Sequence, residues 1–125
     1  MKDGKFVILC IDDDPDVLMV LRTILENAGY HMEEAPSAEA GLKKYKEAHP
    51  DLVIVDMMME EIDAGRNFVR ELKLLKAEQP VYMLSSVGDS LSQNISYTEL
   101  GLAGVFQKPI DPNTLLVTLK TKLKK

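Results

Sequence analysis

Short apolar runs alternate along this chain with longer stretches in which apolar side chains recur every three or four positions. Apolar runs cover residues 6–11, 52–55 and 81–84, and a short apolar run bounded by polar residues predicts a buried strand; shorter strands are expected near 30–34 and over 104–107, around Val105 and Phe106. Between the first two strands, Val17, Leu18, Leu21, Ile24, Leu25 and Ala28 have helical spacing. Asp14 is a good N-cap for that helix, Pro15 suits its first turn, and Gly29 supplies a stop. Ser37 caps a second helix with Ala38, Leu42 and Tyr45 on one face, ending near His49 and Pro50. A third helix is expected from about 64 to 77, packing through Phe68, Val69, Leu72 and Leu75. A fourth, over 89–100, is rich in poor helix formers. Asp111 and Pro112 open the last, whose face is Leu115, Leu116, Leu119 and Leu123. Strand and helix thus alternate five times, which predicts an α/β fold: a parallel sheet covered by helices on both faces.

At 125 residues the chain has the size of one ordinary domain, and 46% apolar with 28% charged residues is a globular composition. We therefore expect a single domain over residues 1–125. The formal charge of −5 argues against a nucleic-acid binder, which needs a basic face. Four lysines near the C-terminus, Lys120, Lys122, Lys124 and Lys125, read as cations favourably placed at a helix end. No apolar stretch approaches the roughly 20 residues of a membrane span. The lone Cys10 lies mid-strand, reads as a small buried hydrophobe and cannot form an internal disulfide, so a cytoplasmic protein is expected.

Polar residues at the strand ends change the picture. Asp12, Asp13 and Asp14 directly follow the first strand, and Asp56 ends the third. Open α/β sheets place their ligand crevices at the carboxyl ends of strands. Two carboxylates about 5 Å apart there, at an effective dielectric of about 20, repel by roughly 3 kcal/mol. A cation must offset this: Lys108, after the fifth strand, or a divalent metal ion. Such a pocket suits phosphoryl chemistry. Asp14 is read as the helix cap, Asp51 as a turn residue at the opposite end of the sheet, and His31 and His49 as surface or loop residues without metal-ligand spacing. The thioethers of Met57, Met58 and Met59 suit copper(I) rather than a carboxylate cluster, and are read as partly buried.

Asp12-Asp13 after the first strand, Asp56 after the third, Ser85 after the fourth and Lys108-Pro109 after the fifth together resemble the receiver domain of bacterial two-component response regulators. The likeness covers the whole chain. It implies a doubly wound, flavodoxin-like fold, a five-stranded parallel sheet in the order 2-1-3-4-5 with five helices. It implies that Asp56 accepts a phosphoryl group from a sensor histidine kinase or phosphotransfer protein, giving an aspartyl phosphate. Asp12, Asp13, Asp56 and the backbone carbonyl of Met58 would hold Mg2+, with Mn2+ as a substitute. Lys108 and Ser85 would contact the phosphoryl oxygens, and the Lys108–Pro109 peptide would be cis. The implied output is a surface within residues 88–123 that meets a downstream effector, with phosphorylation-dependent homodimerisation compatible with it. Neither nucleic acid nor membrane is an implied partner of this domain. No separate turnover substrate is implied; the domain assists its own phosphorylation and dephosphorylation.

Some positions depart from the family pattern. Glu60 stands where a proline is usual, Ala64 where a glycine follows Asp63, and Val105 where an aromatic residue normally precedes the lysine by three. Phe106, one position later, should point to the opposite face of the sheet. Met58 and Val87, beside the path of an attacking water in the family, are apolar, so a long-lived phosphorylated form is expected. Two alternatives remain: a phosphorylation-independent pseudo-receiver that only binds partners, and an aspartyl-nucleophile phosphohydrolase built on Asp12.

Overall fold

The computed structural model describes residues 4–56, 70–75, 78–85, 102–108 and 110–123. Five strands form one sheet: β1 (Val7–Ile11), β2 (His31–Ala35), β3 (Leu52–Asp56), β4 (Val81–Ser85) and β5 (Gly104–Gln107). Their order is β2-β1-β3-β4-β5 and every neighbouring pair is parallel. Helices α1 (Pro15–Asn27), α2 (Ala38–Ala48) and α4 (Pro112–Leu123) alternate with them, and residues 70–74 are the described part of a further helix, α3. This is the doubly wound α/β arrangement expected from the alternation. Strand order reverses between β1 and β3, the place where such sheets bind ligands.

Every residue of β1, β3 and β4 is buried, as strands covered on both faces require. Successive side chains point to opposite faces and feed two separate cores. Ile8, Cys10, Ile54, Leu84 and Phe106 pack beneath α1 and α4 with Leu18, Leu21, Leu25, Leu115 and Leu119. Leu9, Ile11, Val53, Val55 and Met83 pack on the other side with Leu72 of α3 and with Leu42 and Tyr45 of α2. Burial pushes the Cys10 thiol well above its ordinary range, consistent with a small core side chain.

The helix starts follow the expected chemistry. Asp14 accepts from the Asp16 backbone N–H at 2.9 Å, with Pro15 in the first turn. Ser37 Oγ accepts from the Ala40 N–H at 3.1 Å. Asp111 accepts from the Asn113 N–H and the Thr114 hydroxyl at the start of α4. The stop after α1 is shared: Ala28 is the C-cap, and Gly29 turns the chain at a φ of 91°, where a side chain would be strained. At the end of α2 the left-handed cap is His49, with a φ of 48°.

Several expectations need correction. The second strand, expected near residues 30–34, runs from His31 to Ala35, and the ring nitrogen of His31 pairs with Glu33 at 2.5 Å. Residue 75 is already a turn, and Leu75 is exposed rather than packed, because α3 has ended; Leu72 alone of the described pair is buried. Asp51 does more than turn the chain. Its Oδ2 accepts the Val7 N–H at 2.7 Å, while its own N–H donates to the Val7 carbonyl, tying β3 to the start of β1. Phe68 and Val69, the methionines 57–59, Glu60, Asp63, Ala64, Val87, the expected helix over 89–100 and Pro109 lie outside the described residues. No helix among the described residues is long and apolar enough to cross a membrane.

Candidate functional site

Three strands deliver acids and a cation to one end of the sheet. Asp12 follows the last residue of β1 and is fully buried; its N–H donates to the Ala35 carbonyl of β2 at 3.1 Å. Asp12 Oδ1 accepts the Asp14 N–H at 2.9 Å, which fixes the carboxylate and leaves Oδ2 facing the centre of the cluster. Asp56 ends the neighbouring β3 and is 5% exposed. Asp13 lies at the rim, exposed to solvent. One oxygen from each of Asp12, Asp13 and Asp56 lies within 4.8 Å of the others.

Lys108 supplies the positive charge. Its Nζ is 3.0 Å from Asp12 Oδ2 and 3.4 Å from Asp56 Oδ1, and its side chain is 21% exposed. Its backbone N–H donates to the Ser85 carbonyl at 2.8 Å, extending the β4–β5 pairing by one residue to the mouth of the site. Burial on its own would pull the ammonium's pKa down. Bonding and charge from Asp12, then from Asp56, outweigh that and hold it above 10.5. Ser85 ends β4, fully buried, one residue beyond the position paired with Asp56.

The residues fit a hard divalent cation. Carboxylate oxygens are the donors that magnesium and manganese prefer. Asp12 Oδ2 is buried, and the partner that reaches it among the described residues is the Lys108 ammonium at 3.0 Å. A buried carboxylate oxygen with one such neighbour still has acceptor capacity to fill, and a cation between the three acids would fill it. Of the residues expected at the site, Asp12, Asp13, Asp56 and Lys108 come together, and Ser85 ends the adjacent strand. Met58 lies outside the described residues.

The sheet also separates Val105 and Phe106, three and two places before the lysine. Phe106 is buried on the α1/α4 side and stacks on Tyr82, with ring centroids 5.0 Å apart. Val105 packs against the opposite core. The departure at position 105 is therefore not repaired by its aromatic neighbour, as expected from the period of two.

Two contacts were not legible from the residues alone: the Asp51–Val7 tie, and a close seat of α2 on β1 at Gly41. There a Cβ would stand 2.4 Å from Ile11 Cδ1. A glycine inside a helical pattern was the available signal for the second; the first had none, since only the pairing of β3 with β1 brings residue 51 to residue 7.

Comparison with known proteins agrees with this geometry. Residues 8–120 match the family described as the response regulator receiver domain. The chain is 33% identical over 121 residues to the "Probable transcriptional regulator ycf27" of Porphyridium aerugineum, covering 97% of this chain and 49% of that protein. It is 29% identical to the alkaline phosphatase synthesis transcriptional regulatory protein PhoP of Bacillus subtilis, covering 94% and 48%. The chain thus spans about half the length of these curated relatives. Among solved structures, the chemotaxis response regulator CheY4 of Vibrio cholerae superposes with a TM-score of 0.83 at 28% identity, covering 94% of this chain and 98% of that one. A response regulator receiver domain protein of Clostridium thermocellum gives 0.85 at 27% identity, covering 95% and 94%. With its sheet order, its acidic cluster and its lysine, this chain belongs to the response regulator receiver domain family.

Proposed function

We propose that Asp56 is the phosphoacceptor of this receiver domain, and that residues 1–125 form one such domain. The observation that carries the reading is the placement of Lys108 Nζ, 3.0 Å from Asp12 and 3.4 Å from Asp56, over three converging carboxylates. In the transfer, an Asp56 oxygen forms a bond to phosphorus as the bond from phosphorus to the donor's imidazole nitrogen breaks. Asp12, Asp13 and Asp56, with the Met58 carbonyl, would hold Mg2+ or Mn2+. When bound, the ion neutralises charge on the phosphoryl group. Lys108 holds a fixed positive charge against the transferring oxygens, where a preformed cation is worth most. Ser85 donates its hydroxyl hydrogen to another of them. The product is an acyl phosphate, a covalent state of the protein itself. The domain is accordingly a switch, not an enzyme with a separate turnover substrate.

The donor is a phosphohistidine on a sensor kinase or phosphotransfer protein, which places this chain in the cytoplasm. A cavity of ≈ 400 Å³ lined by Asp16, Val17, Val20, Lys108 and Ile110 shares Lys108 with the acidic site, offering an apolar foothold for that partner. Phosphorylation shifts a pre-existing equilibrium read by a downstream effector on residues 88–123.

Incubation with acetyl phosphate and magnesium, followed by intact-mass measurement, tests the assignment. One phosphoryl group adds about 80 Da. The gain is expected in the wild type, and absent in Asp56→Asn and in EDTA. An equal gain in Asp56→Asn would remove Asp56 as the acceptor, and no gain in the wild type would favour a partner-binding domain that works without phosphorylation.

A further inference from the structure

We infer that Gly41 is a positioning residue for the metal-binding acid Asp12, acting through Ile11. The inference rests on the proposed reading of the acidic cluster as a magnesium site.

Gly41 lies inside α2 and is itself buried. Its position needs no unusual backbone angle, and glycine is a poor helix former. What it permits is contact. A Cβ there would meet Ile11 Cδ1 at 2.4 Å, Cγ1 at 2.8 Å and Cγ2 at 3.3 Å. Non-bonded carbons are at their optimum near 3.5 to 4.0 Å, so α2 can press this closely on β1 only without a side chain at 41. Ile11 has little freedom to yield. It is fully buried among Leu9, Ala35, Val53 and Val55, and its branched Cβ stiffens χ1.

Ile11 is the last residue of β1, and Asp12 comes next. Three contacts then hold Asp12: its N–H on the Ala35 carbonyl, its Oδ1 on the Asp14 N–H, and its Oδ2 facing Lys108. Displacing Ile11 moves the strand end, and one peptide unit carries that movement to the carboxylate. Magnesium demands near-ideal octahedral geometry, and ligand distances in well-formed sites keep within about 0.2 Å of their preferred values. A methyl group on α2 therefore reaches the ligand without touching it.

The test measures magnesium affinity by titration calorimetry, alongside urea unfolding in EDTA. Gly41→Ala is expected to weaken magnesium binding about tenfold, the lower end of what outer-shell changes cost. Adding Ile11→Val removes Cδ1, the closest of the three atoms, while leaving Cγ1 at 2.8 Å, and should restore part of the affinity. Ile11→Leu keeps the volume but moves the branch off the seat, and should by itself weaken binding several-fold. Phe106→Leu, on the opposite face, should lower stability and leave magnesium affinity unchanged. Wild-type affinity in Gly41→Ala or in Ile11→Leu, or no rescue by Ile11→Val, overturns the inference while leaving the metal site standing. Absence of magnesium binding in the wild type removes the site and the inference together.

Discussion

Replacing Asp13 by Asn should make the metal-free protein more stable and its magnesium complex less so. Asp13 has an oxygen within 4.8 Å of oxygens on Asp12 and Asp56. Lys108 forms its ion pairs with Asp12 and Asp56 and none with Asp13, so this acid meets more repulsion than attraction. At 4.8 Å, two like unit charges repel by about 3.5 kcal/mol at an effective dielectric of about 20, and by about 0.9 kcal/mol in bulk water. Asp13 is exposed, so its two pairs fall toward the lower figure. The net relief is about 1–2 kcal/mol. For a domain of this size that raises the melting temperature by about 3–10 °C. Urea denaturation followed by circular dichroism, in EDTA, should show a higher midpoint with an unchanged slope. Under saturating magnesium the wild type gains binding free energy that the variant, lacking one ligand, does not match. The gap should then narrow or reverse. An Asn variant no more stable than wild type in EDTA would refute the reasoning, because the acids would not then be held together against their own charge.

Other consequences follow from the same packing. Burial pushes Cys10 up, and Tyr30, Tyr45 and Tyr82 are likewise raised by burial above their ordinary 10.0. Each group stays neutral in the fold after its unfolded counterpart ionises. Their contribution to stability is therefore complete below about pH 8.5, and declines as pH rises through and beyond 10. Urea midpoints across that range check the sign, and a midpoint that rises with pH contradicts it. Cys10 should resist alkylation by iodoacetamide in the native protein and react once it is unfolded, as mass spectrometry will show. Phe106→Leu should cost about 1 kcal/mol for the lost ring stack, with phosphorylation by acetyl phosphate retained. Asp51→Ala should cost about 1–3 kcal/mol by leaving the part-buried Val7 N–H without its carboxylate acceptor, and Asp51→Asn should cost less. Equal unfolding midpoints for both variants and wild type would show that this tie contributes nothing.

Much of the architecture is local in origin and could be read from the residues. Runs such as Leu52–Val55 have no polar position to leave exposed, so they can only be strands covered on both sides. Asp14 with Pro15, and Ser37, mark helix starts through bonds to their own first turns. Asp12, Asp56 and Lys108 each stand at the end of a predicted strand, and parallel strands bring those ends to one edge; Ser85 joined them only through the resemblance to the receiver family. The opposed faces of Val105 and Phe106 follow from the period of two alone.

Contacts between segments distant in the chain had no such signature. The bonds between Asp51 and Val7, the stack of Tyr82 on Phe106 and the seat of Gly41 on Ile11 all depend on register and on how closely elements approach. So does the division of labour among the acids. With Asp14 already marked as the cap of α1, the residues alone leave Asp12 and Asp13 equivalent. The fold buries Asp12 against Lys108 and leaves Asp13 at the rim. Spacing along the chain determined which end of the sheet carries the charge. Only the tertiary structure decided which carboxylate loses its water, because desolvation is set by what packs around a group and not by its neighbours in sequence.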